Sequence, residues 1–174
     1  MLKGLEHGEA VRQVETNKKW LEDVTGRPVH GFCYVRGRYD PQLKAIVRQA
    51  GFDYARTVEN LHATIGNDPF EMPTTIQLFP HSRSVYLRNF ARGRLESTRA
   101  KLLWTSLTSA DLEQRTEHLI EQCRRTGGYF HLWGHSWELE ELNLWDTLDA
   151  ILGALAARSD SIAFVTNHGA SSAR

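Results

Sequence analysis

At 174 residues, with 41% hydrophobic and 24% charged side chains, the chain has the length and composition of one globular domain with a sizeable core, which excludes disorder. Its 21 basic and 21 acidic side chains cancel, so net charge gives no reason to expect a nucleic acid or an anionic membrane as partner. No stretch approaches the roughly 18 apolar residues that span a bilayer, and the N-terminal MLKGLEHGEA carries no apolar core or cleavage signature, so a cytoplasmic location is the default expectation. Cys33 and Cys123 are too few for a disulfide framework and lack metal-ligand spacing; two reduced, largely buried thiols are expected.

In chain order, Val11, Val14, Leu21 and Val24 recur at helical spacing between Glu9 and Val24, with charged residues between them, which predicts an amphipathic helix ended by Gly26 and Pro28. VHGFCYV, from Val29 to Val35, reads as a strand, and Gly37 marks a turn. Asp40 then supplies an N-cap and Pro41 the first helical position of a helix faced by Leu43, Ile46, Val47 and Ala50, and Gly51 closes it. FDYART, from Phe52 to Thr57, is the next strand. Strand, helix and strand in so short a space predict a parallel pair with a helical crossover.

The stretch from Val58 to Met72, with Gly66, Asn67, Asp68 and Pro69, reads as a loop. Thr74 to Phe79 is a strand stopped by Pro80, and His81 follows at once. Arg83, Arg88, Arg92, Arg94, Arg99 and Lys101, interleaved with Tyr86 and Phe90, form the one basic concentration. Thr108 with Asp111 resembles a capping box before a helix whose inner face is Leu112, Leu119, Ile120 and Cys123, ended by Gly127. Tyr129 to Trp133 is a short buried strand running into Gly134, His135 and Ser136, with Trp133 and Trp137 flanking the histidine. A strand end is where α/β folds present reactive groups, because the strand fixes the backbone and the loop leaves the imidazole reachable. The indoles could wall off water or stack on a sugar ring. Asn143 caps a last helix faced by Leu144, Leu148, Ile151, Leu152 and Leu155; a strand from Ile162 to Thr166 and a mobile tail over residues 168–174 complete the chain.

Several segments, in order, carry a resemblance: WLEDVTGRPVHGF, then Phe32, Tyr34, Gly37 and Tyr39 in F-x-Y-x-x-G-x-Y, then AGFDYART, then WGHSWE from Trp133 to Glu138, then FVTN from Phe164 to Asn167. Together they resemble the polysaccharide deacetylases of the NodB-homology type, carbohydrate esterase family 4. The resemblance implies a single α/β domain over residues 1–174, built as a partial irregular (β/α) barrel that lacks its first strands. It also implies a hydrolase removing N-acetyl groups from amino-sugar glycans of chitin or peptidoglycan type, with a divalent metal, zinc above all, as cofactor. The aspartate and histidines that hold that metal in the family belong to segments upstream of the helix at Glu9, so no metal ligand is assigned here, and activity is expected to be impaired. His7 is the only histidine near that point.

His135 matches the histidine that protonates the leaving amine; a core histidine hydrogen-bonded under two tryptophans is the alternative. Tyr34, Arg36, Gly37 and Tyr39 match the turn whose backbone N–H, near Arg36, acts as an oxyanion donor. Cys33, Tyr34 and Val35 replace the arginine and prolines of the family pattern there. Trp133, Trp137 and His81 complete the expected substrate contacts, although His81 also reads as a surface residue. Glu138, Glu140 and Glu141 read as solvated residues leading into the following helix. The expected partners are an N-acetylated glycan and a second copy of the chain covering exposed sheet edges, with neither nucleic acid nor membrane. Two alternatives stand beside the hydrolase: a non-catalytic carbohydrate-contacting module of the same fold, and nucleic-acid binding through the basic segment 83–101.

Overall fold

The computed structural model describes residues 2–93 and 96–172, and its backbone alternates short parallel strands with helices, so the chain is a mixed α/β protein that is mostly helical. Among the described residues there are two separate two-stranded sheets and no closed barrel. The residues divide into two compact units, one made of Met1–Val58, Ile65–Met72 and Val165–Arg174, the other of Glu59–Thr64 and Pro73–Phe164.

The first unit opens with α1, His7–Thr25. Glu6 caps it by accepting from the Glu9 N–H, and the Gly26 N–H closes it on the Glu22 carbonyl. Only Ala10 and Val14 of its apolar face are buried; Val24 and Trp20 are exposed. β1, Gly31–Cys33, and β2, Tyr54–Arg56, pair in parallel with Phe32 opposite Ala55. The crossover between them is α2, Pro41–Gln49, started as predicted by the Asp40 carboxylate on the Leu43 N–H at 2.9 Å. Leu43, Ile46 and Val47 of α2 pack with Tyr34, Phe52, Ala55 and Phe70 into this unit's core. The 58–72 loop ends in an extended segment that bridges β2, with the Thr57 N–H on the Met72 carbonyl and the Met72 N–H on the Ala55 carbonyl.

The second unit carries β3, Ile76–Gln77, and β4, Leu132–Trp133, also parallel. The six-residue strand predicted at Thr74 is two residues long; ahead of it the His131 carbonyl accepts from the Thr75 and Ile76 N–H groups, while threonine hydroxyls add bonds of their own to His131. Thr74 Oγ1 donates to the His131 carbonyl, and Thr75 Oγ1 accepts from the His131 N–H. Three helices connect the pair: α3 (Arg83–Arg92), α4 (Ser97–Thr108) and α5 (Leu112–Thr126). The helix cap falls three residues later than expected, at Asp111, and the return bond reaches the residue before the cap. Asp111 accepts from the Gln114 N–H, and the Gln114 side chain accepts from the Ala110 N–H. Leu112, Leu119, Ile120 and Cys123 of α5 are buried as predicted, and burial pushes the Cys123 thiol pKa up to about 11. Cys33, by contrast, is exposed.

After β4 come α6, Ser136–Glu141, and α7, Trp145–Ala156. Asn143 does not cap α7; it occupies the left-handed turn before it at φ 52°, and Leu144 takes the cap position. Ile151 and Leu155 enter the core, while Leu152 faces solvent. Ile162 to Thr166 forms no strand; Phe164 and Val165 are exposed. Part of the expected tail instead folds as α8, Asn167–Ser172, in the first unit, and residues 173 and 174 lie outside the described residues. No described helix is long and apolar enough to cross a membrane.

Candidate functional site

The candidate residues fall into two groups. Tyr34, Arg36, Gly37 and Tyr39 belong to the first unit, and His81, Trp133, His135 and Trp137 to the second.

The first group closes the carboxyl end of β1. A 3-10 turn over Val35–Gly37 puts Arg36 and Gly37 in succession in the left-handed region, at φ 55° and 65°. The Gly37 N–H donates to the Tyr34 carbonyl and the Arg38 N–H to the Val35 carbonyl, so both amides are used within the turn. Tyr34 is a core residue. It is 1% exposed, its ring stacks on Tyr39 at 4.6 Å, and its hydroxyl donates to the Phe70 carbonyl at 3.0 Å. Burial pushes that phenol's pKa well above the usual tyrosine range. Arg36 is exposed, and beside the turn a groove of about 540 Å3 is lined by Val14, Trp20, Phe32, Cys33 and Val35.

The second group stands at the carboxyl ends of β3 and β4. The Leu78 N–H donates to the Trp133 carbonyl at 2.7 Å and fixes where β4 releases Gly134 and His135. His135 then stacks face to face on Trp137, ring centroids 3.9 Å apart and planes 16° apart, with Trp133 edge-on at 5.4 Å. Trp137 is 57% exposed, so the stack forms a ledge with one aromatic face open to solvent. The Trp133 indole N–H is sheltered and has no hydrogen-bond partner.

His81, half-buried after β3, is held by a chain that sequence reading missed. Its Nε2 lies 3.0 Å from Gln77 Oε1, and Gln77 Nε2 donates to Glu138 Oε2 at 3.0 Å. The Glu138 carboxylate requires the amide nitrogen of Gln77 on its side, which leaves the amide oxygen to accept from His81. Glu138 is therefore a fixed partner within the fold and not a solvated residue. Glu140 accepts from the Trp145 indole, and Glu141 is exposed. The one available signal was Gln77, an amide between the apolar residues Ile76 and Leu78.

Burial holds the His81 pKa below the ordinary histidine value of 6.5; Glu138 opposes this shift, and Arg115 and Arg88 add to it. The unfolded chain thus takes up this proton at higher pH than the folded one. His81 leaves stability intact above about pH 6.5 and lowers it as the pH falls toward its depressed folded value. His81→Gln is expected to flatten the loss of urea resistance between about pH 7 and pH 5. An acid limb unchanged from that of the unsubstituted chain would show that His81 does not set it.

The basic segment is dispersed by the fold. Tyr86 is fully buried, Arg99 is 1% exposed and donates to the Phe90 and Asn89 carbonyls, and Arg94 lies outside the described residues. That removes two of the groups on which a nucleic-acid surface here would depend.

Comparison with protein-family models, with curated proteins and with solved structures yields no match to this chain.

Among the described residues, no set of side chains that could hold the divalent metal implied by the deacetylase resemblance converges at either group. His7 is exposed, and its Nδ1 is 3.0 Å from the Gln42 side-chain nitrogen. Among the described residues one trio of metal-capable side chains converges, His30, Asp53 and His168. It lies at the amino ends of β1 and β2, the opposite end of those strands from the Tyr34 to Gly37 turn.

Proposed function

We propose that this chain is a polysaccharide-deacetylase-type domain, a partial irregular (β/α) barrel, that engages N-acetylated amino-sugar glycans on the Trp133, His135 and Trp137 ledge. The observation that carries this reading is the imidazole stacked on an exposed indole where a parallel strand ends. An indole face offers an apolar platform to the C–H face of a sugar ring, and an imidazole stacked beside it is of the chemical type that can hand a proton to a leaving amine. In amide hydrolysis, water adds to the acetyl carbonyl, the C–N bond breaks, acetate departs and the amine nitrogen takes a proton. His135 is assigned that last transfer. The ordered motifs and the helical crossovers between parallel strands support the same assignment.

The lack of a fitting metal set at the ledge favours, as a second reading, a domain that contacts glycan without cleaving it. Tryptophan fluorescence during titration with N-acetylglucosamine oligomers, run beside a chelator-controlled acetate-release assay, separates the two. Binding is expected, weakened about tenfold, or about 1.4 kcal/mol, by Trp137→Ala. Binding without acetate ends the hydrolase reading, and a flat titration ends both.

A further inference from the structure

From the geometry at the amino edge of the first sheet we infer a binding site for a zinc-class divalent transition metal, formed by His30, Asp53 and His168. This site is independent of the ledge and its proposed glycan. The parallel pairing of β1 and β2 locks two of the three residues, because the Asp53 N–H donates to the His30 carbonyl at 2.8 Å immediately before the strands begin. The third comes from α8, which is fastened by Ala170 in the core and by the Asn167 side chain on Arg56 Nη1 at 3.3 Å.

The donor atoms converge on one carboxylate oxygen. Asp53 Oδ2 is 2.6 Å from His30 Nδ1 and 3.9 Å from His168 Nδ1, and all three donor atoms lie within 4.8 Å of one another. Two donors on one tetrahedral zinc ion stand about 3.4 Å apart, given bonds of about 2.0–2.1 Å, so the observed pair of separations brackets the required one.

The two imidazoles stack, centroids 4.1 Å apart and 23° between planes, and each has its Nδ1 on the Asp53 side. An ordinary hydrogen bond accounts for His30 and Asp53 alone. It does not account for His168 Nδ1, which is shielded from solvent and has no hydrogen-bond partner, although a carboxylate oxygen faces it beyond hydrogen-bonding range. A cation between the three supplies that nitrogen with a partner and neutralises the carboxylate. Two nitrogens and one oxygen suit zinc and its neighbours in the transition series over calcium or magnesium, which prefer all-oxygen shells. The side chains remain 42–54% exposed, and three protein ligands on a tetrahedral ion leave its fourth position for water. Ligation would staple α8 to the sheet edge.

The test is calorimetric titration of the tag-free, metal-stripped full chain with Zn2+, read together with the thermal midpoint. One equivalent is expected to bind and to raise the midpoint, and His168→Gln and Asp53→Asn are each expected to weaken binding at least about tenfold. His118→Gln, which touches none of the trio, is expected to bind zinc like the unsubstituted chain. Absence of stoichiometric binding overturns the site, and so does binding that survives His168→Gln, a surface substitution that leaves the sheet pairing intact.

Discussion

Gly37→Ala is expected to destabilise the first unit by about 2–4 kcal/mol, with about 1 kcal/mol or more from the left-handed backbone and about 1–3 kcal/mol from overpacking. At φ 65° an alanine is strained whatever space surrounds it. The space is also filled: a Cβ there would lie 2.3 Å from Val58 Cγ2 and 3.1 Å from the Val58 backbone nitrogen. The methyl group can be removed, the nitrogen cannot. Val58→Ala in the Gly37→Ala background should therefore restore part of the loss and leave the rest. The coupling in a double-mutant cycle, measured by urea unfolding, isolates the steric part. A loss under about 0.5 kcal/mol for Gly37→Ala would mean that the turn repacks freely and does not brace the end of β1.

The contact of that glycine with Val58 was not legible from the sequence, but the glycine itself was, because a positive φ at a turn is a local requirement. The same holds for the Asp40 cap, the Gly127 stop at φ 63° and the buried face of α5, where one short stretch contains both the signal and its consequence. What escaped depends on partners distant in the chain. Beside the short strand at Thr74, the Thr75 hydroxyl takes the His131 N–H, and hydroxyls that turn inward look the same in a sequence as those that face water. α3 and α4 hid behind arginines, because Arg99 enters the core where an apolar periodicity would be sought. The mixed α/β character was visible as strand, helix, strand. At the ledge, the indoles and imidazole are near neighbours in sequence, so their proximity was foreseeable. Gln77 joining His81 to Glu138, and His168 joining His30 and Asp53, are meetings that only the parallel registers and α8 create.

Arg115 supplies the second large effect: Arg115→Ala is expected to cost about 2–4 kcal/mol and Arg115→Met about 1–2 kcal/mol, from an orphaned buried carbonyl and, for alanine, lost packing of the stem. Arg115 is 5% exposed in the first half of α5, and its Nε donates at 2.9 Å to the carbonyl of Ser106, a residue with no exposure in the last turn of α4. Helix ends leave carbonyls without intrahelical donors, and a cation there also suits the helix dipole. The guanidinium lies 5.0 Å from the centre of the buried Tyr86 ring, whose face attracts it where water is excluded. Against these gains stands the cost of keeping a guanidinium out of water, and a buried charge is often replaceable by an apolar side chain without loss. The comparison of the two variants decides which effect wins. Methionine fills the volume and removes the charge, so a methionine variant as stable as the unsubstituted chain would mean that desolvation cancels the Ser106 bond and the Tyr86 contact. A clear loss in both variants, larger in alanine by urea unfolding, establishes that Arg115 is the side chain that finishes α4.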